Sequence, residues 1–391
     1  MTDVYIKKGR AKPLWFGHPW LYSEAIQRVD GELEPGDEVR VLDEHGRAVG
    51  RGFANPRSQL RVRMASRHDV PLDDAWVVAR LADAIAVRQR LQLPSTETDA
   101  YRLVNSEGDA LPGLVVDVYG DAACVQFTAF AMKRREEVVY DALVKLLPAR
   151  TVFEVAAGGF AQLEGFSSSA RVVRGEPRHL VRCRENGIQL EVEPLGGQKT
   201  GYFLDQRENR ALVGRLAKDA RVLDLYTYAG GFALAAAKGG AKSVTAVDVS
   251  ARALERARAH FALNQLGELD AIESDVFQYL EKAPAGAWDL VVCDPPKFAR
   301  ARKDLEAAMR GYRRLNALAM QALAPGGLLC TASCSQLVDA VEFERMLAGA
   351  AHDAHRRVQL LHIGSQGPDH IVPIAFPEGR YLKFLVCRVL D

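Results

Sequence analysis

Five residues of types that carry chemistry end apolar segments in the second half of the chain. Asp224, Asp248, Asp275 and Asp294 each end a segment that reads as a strand, and Cys334 ends a fifth. In an open α/β sheet, ligands bind beyond the carboxyl ends of the strands, near the point where the strand order reverses. The spacing therefore predicts one site with four carboxylates and a thiol, although for any single acid the capping of a helix is the plainer interpretation.

The glycine turn after the first of these strands limits what the site binds. The segment "YTYAGGF", residues 226–232, has a glycine pair and lacks the GxGxxG spacing that brings backbone close to a pyrophosphate. A nucleoside ligand without phosphate needs no such cradle. Asp248 is placed to accept hydrogen bonds from ribose hydroxyls, and Asp275 is placed to accept one from an adenine amino group. Together the acids favour S-adenosylmethionine as the cofactor, with S-adenosylhomocysteine as its product.

The loop "DPPKF", residues 294–298, is the most informative strand end. Proline has no backbone N–H and biases the preceding residue away from helical geometry, so the paired prolines stiffen the loop and leave Asp294 facing the ligand side. Adenine and amino-group methyltransferases carry an aromatic ring directly after the prolines. Here Lys297 takes that place and Phe298 is displaced by one, which counts against methylation of an exocyclic amine.

The elements that must position these residues alternate between apolar strands and amphipathic helices after about Glu185. This rhythm predicts a parallel sheet covered on both faces, that is, a Rossmann-like doubly wound α/β domain. The predicted strands lie near residues 220–226, 243–250, 270–275, 288–296 and 327–334, with two more near 356–363 and 381–390.

The first half of the chain shows two other patterns of polar and apolar residues. Short alternating segments with Gly-containing turns fill the first seventy or so residues and predict a β-rich module. Apolar residues then recur at helical spacing from Leu72 to Leu91, and a mixed α+β segment follows. The predicted domains are therefore 1–70, 71–185 and 186–391.

Bulk composition indicates a soluble, cytoplasmic protein. The chain of 391 residues is 48% hydrophobic and 26% charged, which is typical of globular domains. It has no apolar stretch long enough to cross a bilayer and no signal-like N-terminus. Its six cysteines show no CxxC pair, so neither a metal site nor a disulfide framework is indicated and we expect reduced thiols.

Charge is sorted locally although the formal net charge is only +1. Residues 51–67 hold five arginines and no acid, and a strand there would place Arg61 and Arg63 on one face as a basic stripe. A second basic cluster, "KFARARK", spans residues 297–303. Each cluster alone is most simply a solvated surface, whereas two in different domains favour a polyanionic partner.

Several linked motifs resemble one family. The segment "GGQKTGYFLDQRENR" (196–210), together with "DLYTYAGGF", "DPPKF", "SCS" and "DHIVPIAFPEGRYLK", is similar to the RlmI-like 23S ribosomal RNA (cytosine-5) methyltransferases. The resemblance covers essentially the whole chain, because "GHPWLYSEAI" looks like that family's PUA module and "YRLVNSEGDALPGLVVDVYGD" looks like its central domain. It implies a class I S-adenosylmethionine-dependent enzyme, 23S rRNA as partner, and a homodimer.

The resemblance also implies a covalent mechanism. Carbon 5 of cytosine is a poor nucleophile, so such enzymes first add a cysteine thiolate to carbon 6. The matching thiol is Cys334, and the acid near ring nitrogen 3 is Asp294. Lys297 and Arg300 would either lower the pKa of the thiol or hold RNA phosphate, and the sequence leaves both roles open. The other five cysteines are interpreted as structural.

The segment "GYFLDQRENR", residues 201–210, has two interpretations. It is either a set of core residues followed by the start of a helix, or a segment that covers the cofactor, as the resemblance implies. His370 is either a proton acceptor or a structural histidine. The predicted cofactor-binding residues are Phe203, Asp205, Gln206, Arg207, Asp224, Tyr226, Thr227, Gly230, Gly231, Phe232, Asp248, Val249, Ser250, Asp275, Val276, Asp294 and Pro295.

Two rival functions remain open at this point. One is a guanine N-methyltransferase acting on rRNA, and the other is a non-catalytic RNA-binding factor for ribosome assembly. Cys334 discriminates the first rival, because methylation of an amine needs no thiol. The four acids at strand ends argue against the second.

Overall fold

The computed structural model describes residues 1–197, 200–299 and 301–391. The chain divides into two compact units, each of which takes its residues from separated parts of the sequence. The first unit comprises residues 1–187, 191–204 and 368–379, and the second comprises residues 188–190, 205–367 and 380–391. Within these described residues, no helix has both the length and the apolar character needed to span a membrane.

A six-stranded sheet forms the start of the first unit, with strand order β2-β6-β5-β4-β1-β3. Its elements are β1 (Thr2–Ile6), α1 (Lys12–Trp15), β2 (Trp20–Tyr22), β3 (Ile26–Asp30), β4 (Asp37–Leu42), β5 (Ala48–Ala54) and β6 (Leu60–Ser66). The β1–β4 pair is parallel and the other neighbours are antiparallel. Alternate strand residues such as Val4, Val39 and Val62 are buried in a common core, as the pleat of a one-sided sheet requires.

The predicted basic stripe on β6 is wrong for Arg63. Val62 is buried as expected, but the Arg63 guanidinium lies 2.7 Å from a carboxylate oxygen of Glu107 and 3.4 Å from one of Glu164, and only 14% of its side chain is exposed. Arg51 is likewise paired with Glu38 and Asp69. Glu107 and Glu164 are far from Arg63 in the sequence, and Glu38 and Asp69 lie outside residues 51–67, which is why the composition of that segment did not reveal these pairs.

A five-stranded sheet in the order β11-β10-β9-β8-β7 completes most of the first unit. Its elements are α2 (Asp74–Arg90), β7 (Ala100–Asn105), β8 (Leu114–Tyr119), β9 (Ala122–Phe127), α3 (Phe130–Lys133), α4 (Glu136–Leu146), β10 (Thr151–Glu154), α5 (Gly159–Glu164) and β11 (Arg171–Arg174). The helix predicted from Leu72 to Leu91 is confirmed as α2, which the Asp73 carboxylate caps by accepting the Trp76 N–H at 2.9 Å. A two-stranded sheet of β12 (Val181–Glu185) and β13 (Ile188–Val192) follows.

The second unit contains a seven-stranded sheet in the order β16-β15-β14-β17-β18-β20-β19. Its elements are α6 (Arg207–Leu216), β14 (Arg221–Leu225), α7 (Gly231–Lys238), β15 (Ser243–Asp248), α8 (Ala251–Leu263), β16 (Asp270–Glu273), α9 (Val276–Lys282), β17 (Trp288–Cys293), α10 (Leu305–Ala322), β18 (Leu323–Ser333), α11 (Ala340–Asp353), β19 (Val358–Gly364) and β20 (Lys383–Val389). The strands β14 to β18 pair in parallel, and the strand order reverses between β14 and β17. The predicted doubly wound sheet is confirmed.

The last two strands depart from the parallel pattern. β20 inserts between β18 and β19 and runs antiparallel to both. Helices α9, α10 and α11 cover one face of the sheet, where Val291, Leu329 and Leu385 are buried, while Val222, Val292 and Phe384 are buried on the other face with α6 and α7. Both faces of the central strands are therefore apolar, which explains why these strands read as continuous hydrophobic runs.

Candidate active site

The carboxyl ends of the parallel strands place most of the predicted residues at one edge of the seven-stranded sheet. Asp248 is the last residue of β15, and Asp294 and Cys334 directly follow β17 and β18. Two expectations need correction. Asp224 lies inside β14, because Leu225 still pairs with Val247 and Cys293, and Asp275 lies two residues beyond β16.

Asp224 is a buried carboxyl with only part of its hydrogen-bonding capacity used. It is 1% exposed, and its Oδ2 accepts the Thr227 hydroxyl at 2.6 Å and the Ala233 N–H at 2.9 Å. Its Oδ1 is also buried and has no hydrogen-bond partner among the described residues. Burial raises the pKa of Asp224 to about 7, and the charges of Asp294 and Asp248 add to the rise. The three acids therefore lie close enough to influence one another.

The turn between β14 and α7 is held in an unusual backbone conformation. Tyr226, Tyr228 and Gly230 have φ angles of +60°, +49° and +82°. The Asp248 carboxylate fixes this turn by accepting the Tyr228 N–H at 2.9 Å, and it also accepts the Ser250 N–H at 2.9 Å. The acid at the end of β15 thus ties together the loops that follow β14 and β15.

Among the remaining predicted residues of these loops, two cap helices and the others are mostly buried. Ser250 and Asp275 are helix caps, accepting the N–H groups of Ala253 at 3.3 Å and Gln278 at 3.0 Å, and the plainer interpretation accounts for these contacts. The others differ in exposure. Gly231 and Val276 are buried first residues of helices, Phe232 stacks on Phe384 in the core, Pro295 is buried, and Val249 is 64% exposed.

The segment before α6 is a buried polar cluster. Asp205, Gln206 and Arg207 are each no more than 3% exposed. Tyr381 donates its hydroxyl to Asp205 at 2.6 Å, and Asn209 donates its side-chain N–H to Gln206 at 2.6 Å. These contacts support the helix-start interpretation. Phe203, which is half-buried, belongs to the first unit, and Gln198 and Lys199 of the same sequence motif lie outside the described residues.

The donor set fits the cofactor predicted from the sequence. S-adenosylmethionine has an ammonium and a carboxylate on its amino-acid end and two hydroxyls on its ribose. Asp224 Oδ1 is a buried acceptor and Gln206 Nε2 a buried donor, and neither has a partner among the described residues. Buried polar atoms are normally hydrogen-bonded, so these two are suited to the charged end of such a ligand.

The "DPPKF" loop and Cys334 meet around a tyrosine that sequence patterns did not reveal. The Phe298 ring lies 4.6 Å from the Tyr312 ring, and Ser333 donates its hydroxyl to the Tyr312 oxygen at 3.2 Å. Burial raises the pKa of Tyr312, and the charges of Cys334 and Asp294 raise it further. Tyr312 is in the middle of α10, where helical periodicity indicates only that it is buried.

Cys334 differs from the other five cysteines in its exposure. It is partly exposed, whereas Cys124, Cys183, Cys293, Cys330 and Cys387 are buried, and no disulfide links any of the six. Burial raises the pKa values of the Cys293 and Cys330 thiols far above the ordinary range and that of Cys387 to about 11. Such thiols are inert at neutral pH. The structure therefore leaves Cys334 as the accessible thiol.

Lys383 is a second residue that the sequence did not single out. Its ammonium donates to the carbonyl oxygens of Ser335 at 2.5 Å and Tyr381 at 2.8 Å. Burial lowers the pKa of Lys383 to about 8, and the Cys334 thiolate acts in the opposite direction. Lys383 is the last residue of the family motif that ends in "GRYLK", so the motif could have pointed to it. The antiparallel pairing that brings Lys383 to Cys334 is not visible in the sequence.

The other predicted catalytic groups lie in different settings. Lys297 is exposed in the loop after β17, and Arg300 lies outside the described residues. His370 belongs to the first unit, where it is 3% exposed and its Nδ1 lies 3.2 Å from Asp369 Oδ1. These contacts support the structural interpretation of His370.

The doubly wound sheet and the acids at its carboxyl edge define a class I S-adenosylmethionine-dependent methyltransferase. One family model, described as an S-adenosylmethionine-dependent methyltransferase, matches residues 162–362, and another, described as a PUA-like domain, matches residues 4–67.

Curated relatives identify the family within that class. The chain is 40% identical over 396 residues to the ribosomal RNA large subunit methyltransferase I of Tolumonas auensis, with 100% of both chains covered. It is 38% identical over 395 residues to the protein of the same name from Aliivibrio fischeri strain MJ11, again with 100% of both covered. The chain belongs to the ribosomal RNA large subunit methyltransferase I family.

Solved structures show the same fold at lower identity. A Streptococcus mutans protein described as a candidate SAM-dependent methyltransferase aligns over 100% of both chains with 22% identity and a TM-score of 0.85. A methyltransferase structure in complex with SAH aligns over 100% of both chains with 22% identity and a TM-score of 0.87. Trm5b from Pyrococcus abyssi aligns over 71% of this chain and 75% of its own, with 17% identity and a TM-score of 0.53.

Proposed function

We propose that this methyltransferase forms 5-methylcytosine in large-subunit (23S) ribosomal RNA through a covalent adduct with Cys334. The observation that carries the proposal is the position of this partly exposed thiol directly after β18, sharing the buried Tyr312 with Asp294. The names of the curated relatives, which specify large-subunit rRNA, support the substrate class.

The chemistry follows from the types of residue at the edge. The Cys334 thiolate adds to carbon 6 of the cytosine, and Asp294, as the carboxylic acid, donates a hydrogen bond to ring nitrogen 3, where negative charge develops. Carbon 5 then has enamine character and is able to attack an electrophilic methyl group, which is what bound S-adenosylmethionine supplies. A base removes the proton from carbon 5, and the thiolate leaves carbon 6 as the double bond re-forms. Lys297 is exposed and either binds RNA phosphate or assists Cys334.

The cofactor-binding roles follow the same edge. Asp248 is assigned to the ribose hydroxyls and Asp275 to the adenine amino group. Asp224 and Gln206 have the buried acceptor and donor atoms suited to the amino-acid end, and Asp205 and Arg207 support that segment. The other members of the set are the turn, loop and ring residues Phe203, Tyr226, Thr227, Gly230, Gly231, Phe232, Val249, Ser250, Val276, Asp294 and Pro295.

Each predicted domain receives a role. Residues 1–70 bind RNA as a PUA-like module, residues 71–185 form a central α+β domain, and residues 186–391 carry the methyltransferase. The target base must be unpaired or flipped, because carbon 6 is not accessible to a thiol within a duplex. We expect a cytoplasmic homodimer, as the family resemblance implies. Light scattering tests the dimer, since a mass equal to one chain of 42.9 kDa would remove it.

Mass spectrometry of nucleosides tests the reaction. Unmodified large-subunit RNA incubated with the protein and the cofactor is expected to yield 5-methylcytidine. Methylguanosine as the product would instead favour the guanine N-methyltransferase, and binding of RNA without any methylated nucleoside would favour the assembly factor. RNA containing 5-fluorocytosine at the target is expected to form a stable adduct with Cys334, because fluorine at carbon 5 cannot leave as a proton does.

A further inference from the structure

Lys383 reaches the end of the strand that carries Cys334 from a neighbouring strand. In the antiparallel β18–β20 pair, Lys383 lies opposite Ser333, the residue before Cys334. Its ammonium extends past the strand end and donates to the Ser335 carbonyl oxygen at 2.5 Å and to the Tyr381 carbonyl oxygen at 2.8 Å. Two carbonyls, one directly after Cys334 and one two residues before Lys383, thus fix the position of the nitrogen.

An ammonium group has three N–H donors, and these two carbonyls use two of them. The third is available to a negatively charged neighbour. Cys334 lies between Ser333, which pairs with Lys383, and Ser335, whose carbonyl oxygen accepts from the Lys383 ammonium, and the charge of Cys334 acts on that ammonium. A cation beside a thiol favours the thiolate, which is the nucleophilic form.

The other charged groups around this pair come from three further elements. Lys297, after β17, and Asp339, at the start of α11, both interact with Lys383. On the other side of Cys334, Tyr312 interacts with both Cys334 and Asp294. Lys297 is exposed, whereas Lys383 is half-buried, so solvent screens the charge of Lys383 less.

We propose that Lys383 is a positioning residue that holds the Cys334 side chain as a thiolate for addition to carbon 6. The inference rests on the proposed function. The thiol loses its proton to solvent, the sulfur pair forms the bond to carbon 6, and the same ammonium stabilises the thiolate when that bond breaks at the end of the cycle. No oxidant, reductant or further reactant enters these steps.

The protonation state of Lys383 agrees with this role. Because burial lowers its pKa only to about 8, the group is largely protonated near neutral pH. Titration of the two groups is coupled, since each charge stabilises the other. Above that range both the thiolate and the neutral amine form, and the advantage of the pair disappears.

The pH dependence of Cys334 alkylation tests the inference without any substrate. The full chain is treated with iodoacetamide between pH 5.5 and 9.5, and modification of the Cys334 peptide is followed by mass spectrometry. We expect the midpoint to rise by about one pH unit in Lys383→Gln, which retains a donor for the carbonyls but has no charge. Lys383→Arg is expected to retain the midpoint of the parent protein, because the charge is kept. Cys334→Ala supplies the background from other residues.

A matched control and a kinetic measurement complete the design. Lys282→Met removes an exposed cation from the end of α9 and is expected to leave the midpoint unchanged. In turnover, Lys383→Gln should lower kcat at pH 7.5 about tenfold with little change in the KM for RNA, and kcat should recover as the pH rises. If Lys383→Gln unfolds, as judged by its thermal melt, Lys383→Met replaces it.

The outcomes separate this inference from the proposed function. A midpoint in the uncharged variant equal to that of the parent protein would overturn the role of Lys383, and so would an equal rise in Lys383→Arg. If the midpoint rises as expected but 5-fluorocytosine RNA forms no adduct, the cytosine-5 reaction fails while the lysine–cysteine pair stands. If the adduct forms and the midpoint does not move, only the role of Lys383 fails.

Discussion

Two buried aspartates in different parts of the molecule use their carboxylates in opposite ways. Asp43, in the turn between β4 and β5, has no exposed side-chain surface, and it accepts the N–H groups of His45 and Arg47 at 2.9 Å and the Arg47 Nε–H at 2.8 Å. Asp224, in β14, accepts two hydrogen bonds on one oxygen and, among the described residues, none on the other.

The pKa values of the two carboxyls follow from these partners. Burial acts to raise the pKa of Asp43, but the hydrogen bonds from Arg47 and His45 outweigh it and hold the value below its ordinary range. At Asp224 burial prevails and raises the pKa to about 7. A buried carboxylate whose two oxygens both accept hydrogen bonds stabilises a turn. A buried carboxylate with one oxygen lacking a partner among the described residues, at the edge of a doubly wound sheet, indicates a ligand site.

The largest expected effect tests whether the sheet edge carries the chemistry. Cys334→Ala should reduce methyl transfer by roughly a thousandfold or more, because the addition to carbon 6 is lost. The fold and the binding of the cofactor should be retained. Cys330→Ala is the matched control, since this buried thiol should affect stability by about 1 kcal/mol and leave the reaction intact. Full activity in Cys334→Ala would end the covalent mechanism.

The next effect concerns Asp43, whose two carboxylate oxygens both accept hydrogen bonds. Asp43→Asn should lower the free energy of unfolding by about 2 kcal/mol, because an amide cannot accept all three hydrogen bonds and loses their charge assistance. Methyl transfer per folded molecule should not change. Chemical denaturation measures the stability and single-turnover assays measure the reaction. A loss of turnover without a loss of stability would contradict the structural role assigned to Asp43.

The matching substitution at the sheet edge should affect binding of the cofactor and not the stability of the fold. Asp224→Asn is expected to weaken binding of S-adenosylmethionine about tenfold, which corresponds to about 1.4 kcal/mol, and to leave the unfolding free energy at pH 7 nearly unchanged. Isothermal calorimetry measures the first quantity. Unchanged affinity would show that the incomplete oxygen of Asp224 does not serve the cofactor.

The pH dependence of stability should have opposite signs at the two sites. The pKa of Asp224 is raised above the ordinary 3.8, so its contribution to stability is complete below about 3.8 and is lost as the pH rises through about 7. The pKa of Asp43 is lowered, so its contribution is present above 3.8 and is lost as the pH falls below that value. Unfolding curves of the two Asn variants, each subtracted from the parent, should therefore slope in opposite directions.

The smallest effect refines the account of Asp43. Arg47→Gln should cost less than about 1 kcal/mol, because the Arg47 side chain is 68% exposed and its ion pair is screened by solvent. The two backbone N–H groups remain. If Arg47→Gln lowered the free energy of unfolding as much as Asp43→Asn, the ion pair with Arg47, and not the two backbone N–H groups, would stabilise the Asp43 carboxylate.

The sequence predicted the order of elements in the seven-stranded sheet because each strand and helix has its own local apolar period. It also predicted the strand ends, since parallel strands share one direction and their carboxyl ends form one edge. Asp248, Asp294 and Cys334 were found in this way.

The residues that were missed depend on pairings between distant parts of the chain. Lys383 approaches Cys334 only because β20 inserts antiparallel beside β18. Tyr312 reaches the site from the middle of a helix, and Arg63 of β6 pairs with Glu107 and Glu164 and so lacks the exposure predicted for it. No local period contains this information, because side-chain partners far apart in sequence are set by tertiary packing.

The insertion of β20 also governs when the chain is able to fold during synthesis. β19 has β20 as its neighbour in the sheet, and residues 368–379 complete the first unit while residues 380–391 complete the second. Non-local contacts of this kind form late, after the connecting chain has been made. On the ribosome, both units must therefore wait for residues 368–391 to emerge, and a chain cut short before them would leave two unfinished folds for proteases to remove.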